Sequence, residues 1–364
     1  MNEAMSETPM ESPTRFFASS RERPYSRRRR RRRTTTARHR DAMTTFASHS
    51  VVVRDATRAF SRAHRTARSV CASMASSTPP SSSDVVVVSW NVNGARALLA
   101  KNPRALDDLA SSTNADVIVL QELKLGARGE REIERVGFLP EYRARAYATS
   151  DARLGYAGVA AFARASASNS LACDATCVAP SIEVLKNFGE FASEGRIVKC
   201  ELERAVVVAL YAPNSGEALK RLDGRVLIWE RALREYVNDL RRASSKPVIV
   251  CGDLNVAHEE NDVWGNHAAN AKRAGYTPRE RRAMDDLLRE CDLIDTFRVV
   301  KGNDAREFSY WSYRARAREM DKGWRLDYVL APRALERAVV DAFICPHVLG
   351  SDHAPVGARF RFDS

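Results

Sequence analysis

The chain has no apolar run approaching the roughly 18 residues that a helix needs to cross a bilayer, so a soluble protein with no membrane partner is expected. None of its seven cysteines forms a Cys-x-x-Cys pair. Cys173 and Cys177 are four apart, but no Cys/His set completes a zinc site, and reduced thiols in a reducing compartment are expected. Lysine is missing from residues 1–83, which hold 17 arginines against six acidic residues. The net charge of +12 therefore resides almost wholly in that segment, and the rest of the chain is close to neutral. A folded part without bulk charge must grip a polyanion through a local patch.

Residues 1–83 are rich in Ser, Thr, Ala and Arg and include an unbroken arginine run from Arg27 to Arg33. Adjacent like charges repel and hold a chain open, so this segment is expected to be a disordered leader. Arg54, Arg58, Arg62, Arg65 and Arg68, with apolar residues between them, outline a basic amphipathic helix. Arginine- and serine-rich, acid-poor composition suits a transit peptide for a chloroplast or mitochondrion. A nuclear address or a non-specific nucleic-acid tail is the rival reading, and a leader without an address is the third. Thr78-Pro-Pro-Ser-Ser-Ser83 reads as a linker, which sets the domains at 1–83 and 84–364.

The domain is organised around Lys246-Pro-Val-Ile-Val-Cys-Gly-Asp-Leu-Asn-Val-Ala-His258. Its apolar run predicts a buried strand. Gly252 permits a close backbone approach. Asp253 and Asn255, two residues apart, fall on one face if the extended geometry continues. Further strands are predicted over 85–90, 115–120, 155–162, 195–201, 205–211, 324–330 and 356–362. Helices are predicted over 103–109, 130–136 and 279–288. Leu222, Val226, Trp229, Leu233, Val237 and Leu240 mark one stripe of a long amphipathic helix. The order is not a regular strand–helix alternation, so two packed sheets with helices outside fit better than a doubly wound sheet. No internal repeat is evident.

Several predicted strand ends carry the same kind of group: Asn91, Glu122, Tyr211, Asp253 with Asn255, and Asp352 with His353. Any one alone reads as a cap or turn residue. Together, oxygen donors of this type suit Mg²⁺ or Mn²⁺ rather than zinc. A carboxylate on one nitrogen of His353 would fix its tautomer and favour the imidazolium. Asp327 is one candidate for that partner and the adjacent Asp352 the other. Such parts can hydrolyse a phosphodiester.

The motifs Ser89-Trp-Asn-Val-Asn-Gly94, Leu120-Gln-Glu-Leu-Lys124, Gly155-Tyr-Ala-Gly158, Tyr211-Ala-Pro-Asn214, Cys251-Gly-Asp-Leu-Asn-Val-Ala-His258, Gly275-Tyr-Thr-Pro-Arg-Glu-Arg281, Trp324-Arg-Leu-Asp-Tyr328 and Gly350-Ser-Asp-His353 run through nearly all of 85–362. In them the domain resembles the exonuclease III / apurinic-apyrimidinic (AP) endonuclease family of the endonuclease–exonuclease–phosphatase superfamily. The resemblance implies a DNase I-like four-layer α/β sandwich of two packed mixed β-sheets flanked by helices. It implies Mg²⁺, replaceable by Mn²⁺, held chiefly by Glu122 with Asn91 and Asp352 nearby. Asp253, Asn255 and His353 belong to the implied ligand set as well as to the catalytic one. Asp253 is similar to the residue that moves a proton, Asn255 to a phosphate donor, Tyr211 to a phosphate-contacting phenol, and His353 to a phosphate-binding histidine or base held by Asp327. Asn214 and Asn270 are similar to residues that fix the phosphate and Asp253. Asn93 stands where many members carry Asp.

Tyr310, Trp324 and Leu326 resemble the apolar pocket for a flipped baseless sugar, a nucleotide that costs less to extrude because it has no base to unstack. Ordinary core packing is the plain alternative. Tyr156, Arg196, Lys272, Arg279, Arg281 and the series Arg314, Arg316, Arg318 are candidates for phosphate contacts. Arg314 is also a candidate for insertion beside the lesion, and Glu217 falls where others carry Arg.

The implied activity is incision 5′ to an abasic site in base-excision repair. 3′→5′ exonuclease and 3′-phosphodiesterase activities on 3′-blocked ends are implied beside it. A monomer acting on duplex DNA is expected, with other repair proteins as possible partners. The alternatives are a superfamily phosphodiesterase on phosphoinositide, sphingomyelin or RNA tails, and a catalytically dead DNA-binding protein. The first should lack the Trp-Arg-Leu-Asp-Tyr and Gly-Tyr-Thr-Pro segments, and the second should lack catalytic groups. No zinc-finger module is expected after Ser364.

Overall fold

The computed structural model describes residues 84–164 and 175–362. The expected leader and linker, with Cys71, and also Cys173, lie outside the described residues.

Two six-stranded sheets form the centre of the domain. The first comprises β1 (Asp84–Asn91), β2 (Val117–Gln121), β3 (Ala144–Ala148), β4 (Val159–Ala163), β11 (Val339–Ile344) and β12 (Val356–Arg361), in the order β11-β12-β1-β2-β4-β3. The second comprises β5 (Thr176–Val178), β6 (Ile197–Glu201), β7 (Val206–Tyr211), β8 (Val248–Asp253), β9 (Leu293–Asp295) and β10 (Asp327–Pro332), in the order β5-β6-β7-β8-β10-β9. Each is mixed around one parallel pair, β1 with β2 and β7 with β8, and each pair is flanked by antiparallel neighbours. The two sheets thus share one strand pattern although the sequence carries no visible repeat.

Period-two alternation assigns each strand residue to a layer. Val87, Val119 and Ala161 of one sheet and Val207, Ile249 and Val329 of the other share the cluster between the sheets. Val86, Val88 and Trp90 face outward onto Leu98 of α1 (Ala95–Lys101) and Leu106 and Leu109 of α2 (Ala105–Thr113). Val208 and Val250 face outward onto Leu233 of α5 (Glu230–Ala243) and Leu287 of α7 (Pro278–Glu290). Helix, sheet, sheet and helix make the four-layer sandwich. The remaining helices, α3 (Ala127–Glu134), α4 (Ile182–Lys186), α6 (His267–Asn270) and α8 (Thr296–Lys301), are short.

Gly252 is required by the closeness of β7 and β8: a Cβ there would stand 1.9 Å from the Leu210 carbonyl oxygen. The register pairs Tyr211 with Asp253 and Asp327 with Asp253. In the other sheet Asn91 pairs with Gln121, and Ser89 with Val356. Two parallel pairs end, and two antiparallel neighbours begin, on one rim, which is why side chains so distant in sequence converge.

Several sequence expectations change. The predicted helix over 103–109 is α2, and α1 precedes it unannounced, short and without a side-chain cap. The edge strands β3, β5, β9 and β11 were not predicted: β3 is only half-buried, β5 mostly exposed, and β11 interrupts its apolar run with Asp341 at a register shift. The long helix over 222–240 divides into a π-helical turn, Gly224–Trp229, and α5. Val226 is half-buried there, and Arg225 takes the inner face. Arg314–Arg316 is a 3₁₀ turn, so the arginine series shares no strand face.

The expectation of reduced thiols holds for Cys251, Cys291 and Cys345, which are buried and outside any disulfide, and fails for Cys177 and Cys200. Those two occupy directly opposed positions on β5 and β6 and form a disulfide with a Cα–Cα distance of 4.1 Å. Strand register brings them together, and no local spacing announces it.

Candidate active site

Asn91 stands at the centre of the rim. Its Nδ2 donates to Glu122 Oε1 at 3.1 Å and to Asp253 Oδ2 at 2.9 Å, which links the two sheets. Tyr211 donates its phenol to Glu122 Oε1 at 2.8 Å. Lys124 pairs with Glu122 Oε2 at 2.9 Å and also donates to Asn93 Oδ1. Asn93 in turn donates to Asp352 Oδ1 at 2.9 Å. Burial pushes the Glu122 carboxyl up, but the Lys124 ammonium and the Asn91 amide outweigh it and hold the pKa below the usual value. Glu122 is thus an anion with 20% of its side chain exposed.

The other half of the site is closed. Asp253 is 1% exposed and Asp327 2%. Asp253 Oδ1 accepts from Asn255 N at 2.8 Å, and Asn255 Oδ1 accepts from Asn214 Nδ2 at 2.9 Å. His353 Nδ1 meets Asp327 Oδ2 at 2.7 Å, and its Nε2 lies 3.9 Å from Asp253 Oδ2. Asp327, rather than the adjacent Asp352, is therefore the histidine's partner. Ser309 donates to the same Asp327 oxygen at 2.7 Å, leaving Asp327 Oδ1 buried without a partner.

Desolvation, reinforced by Asp327, raises the Asp253 pKa to about 7. For His353, burial favours the neutral ring, but Asp327 and Asp253 prevail and raise its pKa to about 10. His353 is then a cation at neutral pH and its ring can only donate. Burial and two nearby carboxylates keep the Tyr211 phenol protonated.

The backbone is bent to hold these groups. Asn93, Glu122, Lys124 and Asn255 all have positive φ, between 48° and 53°. Left-handed non-glycine residues are costly and tend to gather where surroundings enforce them.

The donor chemistry fits a small hard cation at Glu122, an ionised and partly open carboxylate joined through Lys124 and Asn93 to the Asp352 carboxylate, whereas Asn91 turns its Nδ2 to Glu122 and its Oδ1 to Asn93 N at 3.0 Å. Asp253, Asp327 and His353 also bring one potential ligand atom each within 4.8 Å of one another. As an imidazolium His353 has no lone pair to offer, and a cation in that trio would have to displace its proton.

Tyr310 lies against His353 with ring centroids 4.8 Å apart. Its backbone pairs with Trp324. Trp324 and Leu326 pack with Ala257, Val263 and Tyr276 in a satellite apolar cluster beside the rim. The Arg273 guanidinium stacks 5.4 Å from the Trp324 ring.

Other expected residues lie apart from the central cluster. Asn270 donates to the Trp264 carbonyl at 3.0 Å, and the amides on Asp253 are instead Asn91 and Asn255. The Tyr156 phenol accepts from Arg196 at 2.9 Å and Arg221 at 2.6 Å. Arg279 pairs with Asp223 at 2.6 Å, and Arg281 donates to the His258 carbonyl at 2.6 Å. Arg314 is exposed. Arg318 stacks on Trp311 and donates to the carbonyls of Pro346, Val348 and Ser351, so it braces the loop before Asp352 rather than standing free for phosphate. Sequence reasoning assigned nothing to Lys124, Ser309 or Ser351. Lys124 sits inside a quoted motif and could have been found there. Ser351, which donates to the Asn91 carbonyl at 2.7 Å, also sits inside a quoted motif, and Ser309 alone carries no local signal.

Residues 88–353 match the family described as Endonuclease/Exonuclease/phosphatase family. An exodeoxyribonuclease of Bacillus subtilis is 37% identical over 274 residues, covering 74% of this chain and 97% of the relative. The DNA repair nuclease APEX1 of Danio rerio is 35% identical over 272 residues, covering 74% and 80%. The crystal structure of the AP endonuclease LMAP from Leishmania major superposes with a TM-score of 0.67 at 29% identity, covering 78% of this chain and 89% of that one. The motifs, the paired mixed sheets and these likenesses agree: the chain belongs to the endonuclease/exonuclease/phosphatase family, in its exonuclease III / AP endonuclease branch.

Proposed function

We propose that this nuclease is a Mg²⁺-dependent AP endonuclease that hydrolyses the phosphodiester 5′ to an abasic site in base-excision repair and leaves a 3′-hydroxyl. We assign it 3′→5′ exonuclease and 3′-phosphodiesterase activity in the same site, and action as a monomer. The observation that carries the reading is the adjacency of an ionised, half-open Glu122 and a closed Asp253–His353–Asp327 group, bridged by Asn91.

Mg²⁺ held by Glu122, Asn91 and Asp352 would neutralise charge on the phosphate and the leaving 3′-oxygen. The protein's own residues do the rest. Asp253, with a pKa near 7, takes a proton from the attacking water, the range in which a general base works best. His353 and Asn255 donate to the phosphate oxygens, where charge grows as the water oxygen bonds to phosphorus and the bond to the 3′-oxygen breaks, and the departing 3′-oxygen takes a proton from solvent to become the hydroxyl. Asp327 keeps His353 oriented and protonated, and Asn214 fixes Asn255. Tyr211, held protonated, donates at the metal-side edge. Tyr310, Trp324 and Leu326 take the baseless sugar, and an intact base would have to displace their rings. Tyr156, Arg279 and Arg314 serve the flanking backbone, and Asn93 and Asn270 steady the loops that line the groove.

The test is a duplex with one abasic analogue, incubated with Mg²⁺ and separately with EDTA. Metal-dependent incision on the 5′ side is expected, and its absence sinks the reading. The apolar cluster of Tyr310, Trp324 and Leu326, with Tyr310 against His353, supports this substrate over those of phosphoinositide or sphingomyelin enzymes. The leader, 1–83, is proposed to direct the 84–364 domain to an organelle or the nucleus. A fluorescent fusion that stays diffuse in the cytosol would reject both addresses.

A further inference from the structure

Arg225 is wholly buried, at 0% exposure, on a helix face that should be apolar. It lies in the π-helical turn Gly224–Trp229, and such turns often occur at functional sites. Its guanidinium spends four contacts on groups behind the active site. NH1 donates to the Pro213 carbonyl at 2.5 Å and to the Asn255 carbonyl at 3.3 Å. NH2 donates to the Leu254 carbonyl at 2.6 Å and to Glu230 Oε1 at 3.1 Å. Pro213 immediately precedes Asn214, and Asn214 donates to Asn255. One nitrogen of Arg225 therefore joins the main chains of the two loops whose amides meet in the site.

The arrangement is specific in shape. Asn255 has φ +50°, a left-handed conformation that asparagine adopts more readily than other non-glycine residues and that its surroundings must still favour. A planar fork reaches three carbonyls at once, which a lysine ammonium on its flexible stem cannot reproduce. Glu230, itself buried, supplies the countercharge.

From this geometry we propose that Arg225 is a positioning residue for the reaction: it fixes the left-handed backbone of Asn255 and the Asn255–Asn214 amide pair, and with them the Asn255 Nδ2, which donates to the Ala212 carbonyl at 3.0 Å and to Asp253 Oδ2 at 3.3 Å in the catalytic group. The role of Asn255 in this statement rests on the function proposed above. The experiment therefore includes a readout that does not depend on abasic-site cleavage.

The variants are Arg225→Met, which keeps bulk and removes donors, and Arg225→Lys, which keeps charge and loses the fork. Each is compared with the wild type and with Asn255→Ala in a double-mutant cycle. A small misplacement of a reacting group can cost about 100-fold in rate, and a drop in kcat of about 10- to 100-fold is expected for Arg225→Met. DNA affinity measured in EDTA should stay within about threefold, with Arg225→Lys intermediate. Because the effect passes through Asn255, it should shrink to less than about twofold when Asn255→Ala is already present. A purely structural loss would be as large in both backgrounds. Separately, the Asn255 side-chain amide resonance, identified by its loss in Asn255→Ala, should move in both arginine variants.

An unshifted Asn255 resonance, a wild-type kcat in a folded Arg225→Met protein, or an undiminished loss in the Asn255→Ala background each overturns the proposal. If Arg225→Met does not fold, Arg225→Lys carries the same cycle. A wild type that leaves abasic DNA uncut refutes the proposed function alone, and the resonance still decides the role of Arg225.

Discussion

The two sheets deliver opposite environments to one rim. The first contributes Glu122, Asn93 and Lys124, charged or amide groups open enough to exchange ions with solvent: the Lys124 side chain is 37% exposed and that of Glu122 20%. The second contributes Asp253, Asn255 and Asp327, all nearly sealed. On the open side a nearby ammonium holds a carboxyl below its usual pKa. On the closed side desolvation and a neighbouring carboxylate push one far above it. Residues of the same chemical type are thus tuned apart by exposure, the arrangement expected where one carboxylate binds a cation and another moves a proton.

The most severe way to break this contrast is to remove the sealed carboxylate. Asp253→Asn should lower kcat by about 1,000-fold or more, since general acid–base catalysis supplies about 10²–10⁴, while DNA binding in EDTA persists. Lost binding would deny Asp253 its chemical role. Wild-type kcat/KM should rise with pH through about 7 as Asp253 ionises and fall as His353 loses its proton near 10. The reverse slope near 7 would make Asp253 the acid.

Stability carries the same signature. Both groups have folded pKa values above their unfolded ones, so each favours folding below its unfolded pKa and loses that contribution as pH rises through the folded value. In metal-free protein the Asp253 contribution disappears between about pH 4 and 7, and that of His353 between about 6.5 and 10. At pH 8 without metal, Asp253→Asn should therefore melt higher than the wild type, by about 2–4 °C.

On the open side, Glu122→Gln should cost about 100-fold at limiting Mg²⁺, because a metal's charge stabilisation is worth several kcal/mol. Raised Mg²⁺ or Mn²⁺ should recover part of it, and no such recovery should occur for Asp253→Asn. Equal rescue of both variants would erase the distinction between the two sides. Ser309→Ala removes a hydroxyl from Asp327 Oδ2, and a loss of about tenfold is expected, typical of residues that orient a reacting group through another. Ser309→Thr should restore most of it. The smallest effect on turnover belongs to Cys200→Ser, far from the rim on β6. It should lower the melting temperature through loss of a cross-link worth about 2–4 kcal/mol and leave kcat unchanged.

Legibility in the sequence follows the same division between sealed and open. The central strands β1, β2, β7 and β8 are continuous apolar runs because both faces are covered, and such runs announce themselves. Asn91, Glu122, Tyr211 and Asp253 were found because they end those runs. Of the edge strands, β3 and β5 escaped because partly exposed residues need no apolar pattern, β9 because it is three residues long, and β11 because Asp341 interrupts its run. Ser309 and Arg225 escaped for another reason. Their roles depend on what lies opposite them in space, and a buried arginine within an apolar stripe reads locally as an error in the stripe. The arginines at 314, 316 and 318 fit a strand face and a loop equally well by spacing alone, and Arg314–Arg316 forms a turn. The pairing of Cys177 with Cys200 depends on register, which separates two residues by 23 positions in sequence and none in space.

The first described strand, β1, lies between β2 and β12, and Arg361 grips Asp84 across 277 positions of sequence. His353 sits just before β12. A ribosome-bound chain therefore lacks both a neighbour for β1 and the imidazolium of the site until nearly all of the domain has emerged. Pairings of such long range form late. A chain cut short before His353 has an unfinished first sheet and lacks the histidine that Asp327 holds.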